Sequence, residues 1–440
     1  MFKRKIETVI NEYLDSSKEK ILIVEGARQI GKTYIINKLA KKKYKNYIEI
    51  NLKDDFDGER KFEHAKVNTT EKFYLAVSSL FGNIMGSKDD TIIFLDEIQV
   101  YPHLLSMLKP LKKDDKYSYI VSGSLLGVTL KHTFIPMGSI REVKMFPMDF
   151  EEFLWASNVG KNVIEYAKDC FNELKPITEV VHSTLLSKFK EYLLSGGLPD
   201  AVKQFVINKN VMNMREIHSL TYTYYKDDCS QYDLEHKLRI TRIYEMMTSR
   251  MGNNVKRIQA NKIDDNKKDT LGKYEDEIDY LVSSGVVFAV KAVSNPVFPL
   301  TESKSKNLIK LYYNDVGILT NVLYQNSIDA VLNQDKGINL GSAYETAAAM
   351  ELIAHGHELY YFDSKKVGEV DFLINDYDNL SILPIEIKSG KDQTNFRAIP
   401  KLVDPTGNYK LPFGYVFGNK NILKKEGGLI TLPIYLLMFI

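Results

Sequence analysis

The sequence predicts an α/β protein whose first part is a parallel β-sheet flanked by helices. Three observations carry this. Between Lys20 and about Phe146, apolar stretches at 21–24, 47–51, 91–95 and 117–121 alternate with helical stretches. Such alternation builds βαβ units and parallel strands. The second observation is the run Gly26-Ala27-Arg28-Gln29-Ile30-Gly31-Lys32-Thr33. It fits the phosphate-loop pattern G-x-x-x-x-G-K-[ST], between the apolar Ile21–Val24 and a helical stretch starting at Tyr34. The third is Thr91-Ile92-Ile93-Phe94-Leu95-Asp96-Glu97, an unbroken apolar run ending in two carboxylates. A strand of this kind is buried on both faces, and ligands gather at the carboxyl ends of strands in open α/β sheets.

Each element has a chemical consequence. Residues 1–20 read as a leading amphipathic helix. In the loop from Gly26 to Tyr34, glycines let backbone N–H groups turn inward around a triphosphate. Lys32 would reach the β- and γ-phosphates, and Thr33 Oγ would ligate magnesium. The following helix aims its positive end at the anion. Taken alone, the loop also fits a strand-to-helix turn that binds nothing. Asp96 would hold the magnesium, and Glu97 would orient the water that attacks the γ-phosphate. The strand 117–121 ends in Ser122-Gly123-Ser124. Ser122 and Ser124 are candidates for sensing the γ-phosphate, with an ordinary β–α turn as the competing reading. Arg141 is a candidate finger into a neighbouring subunit's site, and Arg250 is another. A surface arginine is the plainer reading of Arg141.

From Pro147 the pattern turns helical. The turn Ser195-Gly196-Gly197-Leu198-Pro199 separates two helices, and residues 151–230 read as a helical lid. Residues 231–305 differ again: a helical stretch Leu234–Met251, a basic polar stretch, an acidic helix Tyr274–Val282 and an apolar run from Val286 to Val290. That order suggests a winged-helix-like connector. The acidity of its last helix argues against placing that helix in a nucleic-acid groove.

The last part, 306–440, carries a second constellation. Gly368–Ile374 and Ile382–Gly390 read as two strands joined by the turn Asn375–Asn379. Asp371 lies on the first, while Glu386 and Lys388 are two apart on the second and so share a face. Glu345, on a helix from Gly341, would complete an acidic set. Two or three carboxylates with a lysine suit metal-assisted phosphodiester cleavage. The carboxylates hold magnesium, and the lysine positions water or offsets charge. A solvated hairpin face with an ion pair is the competing reading.

Composition excludes several classes. The chain has 440 residues, 44% hydrophobic and 26% charged, with a net charge of +2 and two cysteines. That length suits two or three domains, and so small a net charge gives no overall bias toward nucleic acid. Cys170 and Cys229 are too far apart in sequence for a zinc pattern. No signal peptide is evident over Met1–Leu14. The apolar Leu429–Ile440 is too short to span a bilayer, contains Pro433 and reads as a terminal strand. A cytoplasmic protein without a membrane partner is expected.

The stretches GARQIGKT, IIFLDEIQ, VSGSLLG, MFPMDFEEFLWA, SGGLPDAV, KLYYNDVGILT, GEVDFLI and PIEIKSG together resemble the AAA-type ATPases of archaea and bacteria that carry a C-terminal restriction-endonuclease-like domain of unassigned role. The resemblance spans nearly the whole chain. It implies a P-loop ATPase core at 1–150, the lid and connector above, and an α/β restriction-endonuclease-like domain at 306–440. It carries nucleotide roles to Lys32, Thr33, Asp96 and Glu97, and the acidic-cluster role to Glu345, Asp371, Glu386 and Lys388. The serines at the sensing strand end depart from the asparagine or threonine common in the wider superfamily. The expected cofactors are ATP and Mg²⁺. The expected function is ATP hydrolysis that controls DNA engagement or cleavage. The alternatives are an ATP-gated protein-interaction switch with an inert nuclease-like fold, or a signalling switch that holds ATP tightly. DNA, a protein partner and further copies of the chain are the candidate partners beside ATP.

Overall fold

The structure, a computed structural model, describes residues 2–16, 19–53, 61–62, 66–82, 85–124, 138–231, 236–251, 257–325, 327–333, 338–390 and 397–440, with the side chains at 228–231, 250–251 and 306–307 not among them. Arg250 as a finger therefore lies outside the described side chains. The chain divides into two compact units: Lys3–Phe146 with Ser283–Gly285, and Pro147–Val282 with Val286–Ile440.

The first unit is a five-stranded sheet of β1 (Ile21–Glu25), β2 (Asn46–Asn51), β3 (Thr91–Asp96), β4 (Ser118–Gly123) and β5 (Ile140–Lys144), in the order β2-β3-β4-β1-β5. Every pairing is parallel. All residues of β1, β3 and β4 are buried, as their unbroken apolar runs require. Ile23, Ile48, Ile93 and Val121 pack with Leu104, Leu108 and Leu111 of the helix His103–Asp114 in one core. Each such side chain contributes about 1.5–3 kcal/mol by leaving water. The four strands expected from the sequence are all present. The fifth, β5, was not anticipated: only Ile140 and Val143 of its residues are even half-buried, so it lacks the apolar run of a central strand. It sits at the sheet edge beside β1.

The order matters for chemistry. Because β4 lies between β1 and β3, the end of β4 is placed next to both the loop after β1 and the carboxylates after β3. Glu25 pairs with Gly123, and Leu95 with Val121.

The second unit holds helices Phe150–Ala156, Lys161–Glu173, Glu179–Ser195, Pro199–Val206, Val211–Gln231 and Lys237–Met251, then an eight-stranded mixed sheet. Its strands are β6 (Val287–Val293), β7 (Lys304–Tyr313), β8 (Tyr360–Ser364), β9 (Gly368–Asp376), β10 (Ser381–Ile387), β11 (Gly414–Gly418), β12 (Lys424–Glu426) and β13 (Leu429–Pro433), ordered β12-β13-β11-β10-β9-β8-β6-β7. The span 231–305, read from the sequence as a winged-helix-like connector, contributes one of these strands. β6 pairs with β7 on one side and β8 on the other, inside the large sheet. Its residues Val287, Phe288, Val290, Ala292 and Val293 are buried, and a strand so apolar needs neighbours on both edges. The boundary expected at 305 thus falls inside one sheet. The terminal strand expected over Leu429–Ile440 stops at Pro433 and continues as a 3₁₀ turn, Ile434–Phe439. Proline has no N–H to extend a ladder.

Two helix starts in this unit are capped by buried aspartates. Asp149 caps the helix Phe150–Ala156 in a full capping box with Glu152. Asp315 caps the helix Val316–Tyr324 by accepting from Ile318 N at 3.0 Å. Among the described residues no helix is long and apolar enough to cross a membrane.

Candidate functional site

The loop after β1 turns through Gly26 and then Gln29 and Gly31, both at left-handed φ, before the helix Lys32–Lys43 begins. At Gly26 a Cβ would lie 2.2 Å from the Met145 carbonyl oxygen. Met145 is itself held by donating its N–H to Glu25 at 2.7 Å, so the close approach needs glycine. Lys32 is buried, and its Nζ donates to the carbonyls of Gly26 at 2.9 Å and Ala27 at 2.8 Å. Burial pushes its pKa down, against the pull of Glu97 and Asp96. The ammonium is therefore folded back over the loop, within the field of both carboxylates. Tyr34, in the first turn of that helix, is 40% exposed.

Thr33 Oγ1 donates to Asp96 Oδ2 at 2.7 Å, and Ser122 Oγ donates to Asp96 Oδ1. A hydroxyl facing a carboxylate at this point is the oxygen donor set a hard divalent ion takes, so Thr33 and Asp96 fit magnesium. Burial raises the Asp96 pKa, with Ser122 and Thr33 opposing. Glu97 sits in a left-handed conformation at φ 54°. Its Oε2 accepts from Ser124 Oγ at 2.6 Å and from Gln99 Nε2. Arg28 Nε donates to Ser124 Oγ at 2.9 Å and lies 4.0 Å from Glu97. Burial raises the Glu97 pKa, but Lys32, Ser124, Gln99 and Arg28 together outweigh it and hold the group below its ordinary value.

The two serines thus divide: Ser122 orients Asp96, and Ser124 orients Glu97. Gln99 and the contact role of Arg28 were not read from the sequence. A polar residue two positions after the glutamate was the available signal for Gln99. Arg141 is exposed on β5, opposite Leu22. That is three residues, roughly 10 Å, short of the strand end where the loop begins, so Arg141 is not part of this constellation.

The second cluster lies in the other unit. Glu345, on the helix Gly341–Ala354, accepts from Tyr312 OH at 3.0 Å. Asp371 Oδ2 accepts from Ile387 N at 2.8 Å, and Lys388 Nζ donates to Glu386 Oε1 at 2.6 Å. The antiparallel β9–β10 register, with Phe372 opposite Ile385, sets Asp371 and Glu386 on neighbouring strands. Glu386 is buried and, among the described residues, its other oxygen, Oε2, accepts no hydrogen bond. Burial pushes its pKa up, with Glu345 adding to the rise and Lys388 opposing. Lys310, buried on β7 and paired with Glu369 at 2.5 Å, belongs to the same field. Burial lowers its pKa, but Glu345, Glu369 and Asp371 reverse the shift. Neither Lys310 nor Tyr312 was anticipated, because β7 reaches this site only through long-range pairing.

Glu345, Asp371 and Glu386 do not bring one oxygen each within 4.8 Å of one another; among the described residues, only Asp149, Glu351 and His355 form such a group. The orphaned Glu386 oxygen nevertheless fits a cation, since magnesium keeps several waters and takes as few as one or two carboxylates.

Three family models match the chain. Residues 18–154 match an AAA domain, 186–329 a domain of unknown function (DUF8612), and 340–437 another domain of unknown function (DUF4143). The chain is 22% identical over 364 residues to an uncharacterized protein, MJ1544, of Methanocaldococcus jannaschii, covering 81% of this chain and 72% of that one. Among solved structures, a Walker-type ATPase of Pyrococcus abyssi aligns at 13% identity and a TM-score of 0.42, over 76% of this chain and 96% of its own. DnaA of Aquifex aeolicus aligns at 18% identity and a TM-score of 0.24, over 54% and 76%. Residues 18–154, the part that matches the AAA domain, contain the parallel sheet with this loop and these carboxylates.

Proposed function

We propose that the chain hydrolyses ATP at the β1 loop and that its C-terminal cluster cleaves phosphodiester bonds in DNA under control of nucleotide state. The Thr33–Asp96 contact, beside a Lys32 already in the loop, carries the first half. In this reading Lys32 exchanges the Gly26 and Ala27 carbonyls for phosphate oxygens, and loop N–H groups take the remainder. Thr33 and Asp96 hold magnesium, with Ser122 fixing the Asp96 rotamer. Glu97, held by Ser124 and Gln99, orients the attacking water. Magnesium, when bound here or at the second cluster, supplies neutralisation of phosphate charge.

The orphaned Glu386 Oε2, with Lys388 beside it, supports the second half. Asp371 and Glu386 hold the ion, and the Lys388 ammonium offsets charge on the scissile phosphate. Lys388→Ala should abolish Mg²⁺-dependent cleavage of double- or single-stranded DNA on a gel while ATP turnover persists. Cleavage that survives the substitution would refute the assignment.

A second reading is favoured by the spread of Glu345, Asp371 and Glu386. In it the cluster is inert and the fold serves as an ATP-gated protein-interaction module. Wild-type protein that turns over ATP without responding to DNA and without cutting it in Mg²⁺ or Mn²⁺ would select this reading.

A further inference from the structure

We propose that Asp149, Glu351 and His355 bind a divalent transition-metal ion of the zinc class. One ligand atom from each lies within 4.8 Å of the others, and Asp149 and Glu351 are buried. Each side chain is oriented by a bond at its far atom. Asp149 Oδ1 accepts from Glu152 N at 2.8 Å, which leaves Oδ2 toward His355. Glu351 Oε2 accepts from Phe150 N at 2.9 Å, which leaves Oε1 toward His355. His355 Nδ1 lies 2.8 Å from the Ile440 backbone oxygen. A carbonyl-type oxygen only accepts, so Nδ1 carries a proton and Nε2 is the atom that faces the two carboxylates. A backbone acceptor fixing the tautomer in this way is the usual outer support of a metal-bound imidazole.

The distances discriminate between a metal site and a simple ion pair. His355 Nε2 lies 3.5 Å from Glu351 and 3.7 Å from Asp149. A charge-assisted hydrogen bond from a protonated imidazole would close to about 2.7–2.9 Å. Ligand atoms on a tetrahedral zinc, each about 2.0–2.1 Å from the ion, stand roughly 3.3–3.4 Å apart. The observed spacing is nearer the second figure. One imidazole with two carboxylates suits zinc, cobalt or manganese better than magnesium. His355 also lines a cavity of about 770 Å³ with His357, Asp376 and Ile440.

The test uses the full chain, stripped with a chelator and dialysed against Zn²⁺ or Co²⁺. Mass spectrometry should count one tightly held ion per chain. His355→Gln and Glu351→Gln should lose it, while His357→Gln, which changes a neighbouring histidine of the cavity wall, should keep it. Circular dichroism reports whether the variants fold. Should they unfold, the visible spectrum of Co²⁺-loaded wild type decides. Intense bands of four- or five-coordinate cobalt support the site, and the weak bands of octahedral cobalt overturn it. Wild type that retains no ion, or a folded His355→Gln that retains it unchanged, also overturns the proposal.

Discussion

Glu97→Gln should lower ATP turnover roughly 10²–10⁴-fold, the usual cost of losing a positioned acid–base group, while nucleotide binding persists. The Glu97 carboxylate is held by Ser124 at 2.6 Å and by Gln99, with Lys32 and Arg28 keeping it ionised despite burial. Glutamine keeps the size and still accepts from Ser124 through its amide oxygen. It cannot draw a proton from water, so the loss falls on chemistry rather than binding. Phosphate release and binding of a fluorescent nucleotide, measured on the same preparation, separate the two. Undiminished turnover would remove Glu97 from the mechanism.

Asp315→Ala should cost the second unit about 2–5 kcal/mol of stability near pH 4, because its buried backbone donors lose their acceptor. Asp315 accepts from Gly197 N at 2.6 Å and Ile318 N at 3.0 Å and is fully buried. Burial pushes its carboxyl up to about 6, against the opposing bonds from the Gly197, Ile318, Gly317 and Leu198 N–H groups. A folded value above the unfolded one means the native state binds the proton more tightly. The stability tied to that proton is then present in full below about pH 4 and is lost as pH rises through about 6. The wild type pays for the buried charge above that window, so the penalty of the substitution should shrink by about 2 kcal/mol between about pH 4 and pH 7.5. Urea unfolding at both pH values checks this, and a penalty that grows with pH would contradict it.

Much of the arrangement around the β1 loop was legible because its signals are local. A complete loop motif after an apolar strand, and a carboxylate pair ending another, place Lys32, Thr33, Asp96 and Glu97 without tertiary information. The division of labour between Ser122 and Ser124 was not legible, since it depends on β4 being inserted between β1 and β3. In the second unit the β9–β10 hairpin was readable from alternation and a turn. The residence of β6 in the same sheet was not, because its partner β8 lies some seventy positions away and the pairing is parallel. Local periodicity carries no record of such a partner, and for the same reason Lys310, Tyr312 and the Asp149–Glu351–His355 group escaped notice. The Gly196-Gly197 turn was recognised, but not its purpose: Gly197 approaches Met148, and its N–H serves Asp315.

The most direct test of the central claim is Mg²⁺-dependent ATP hydrolysis by the purified chain beside Lys32→Ala. Steady turnover in the wild type that requires Mg²⁺ and falls to background in Lys32→Ala is the predicted result. Equal turnover in the two proteins, or none in a wild type shown to be folded, would contradict it.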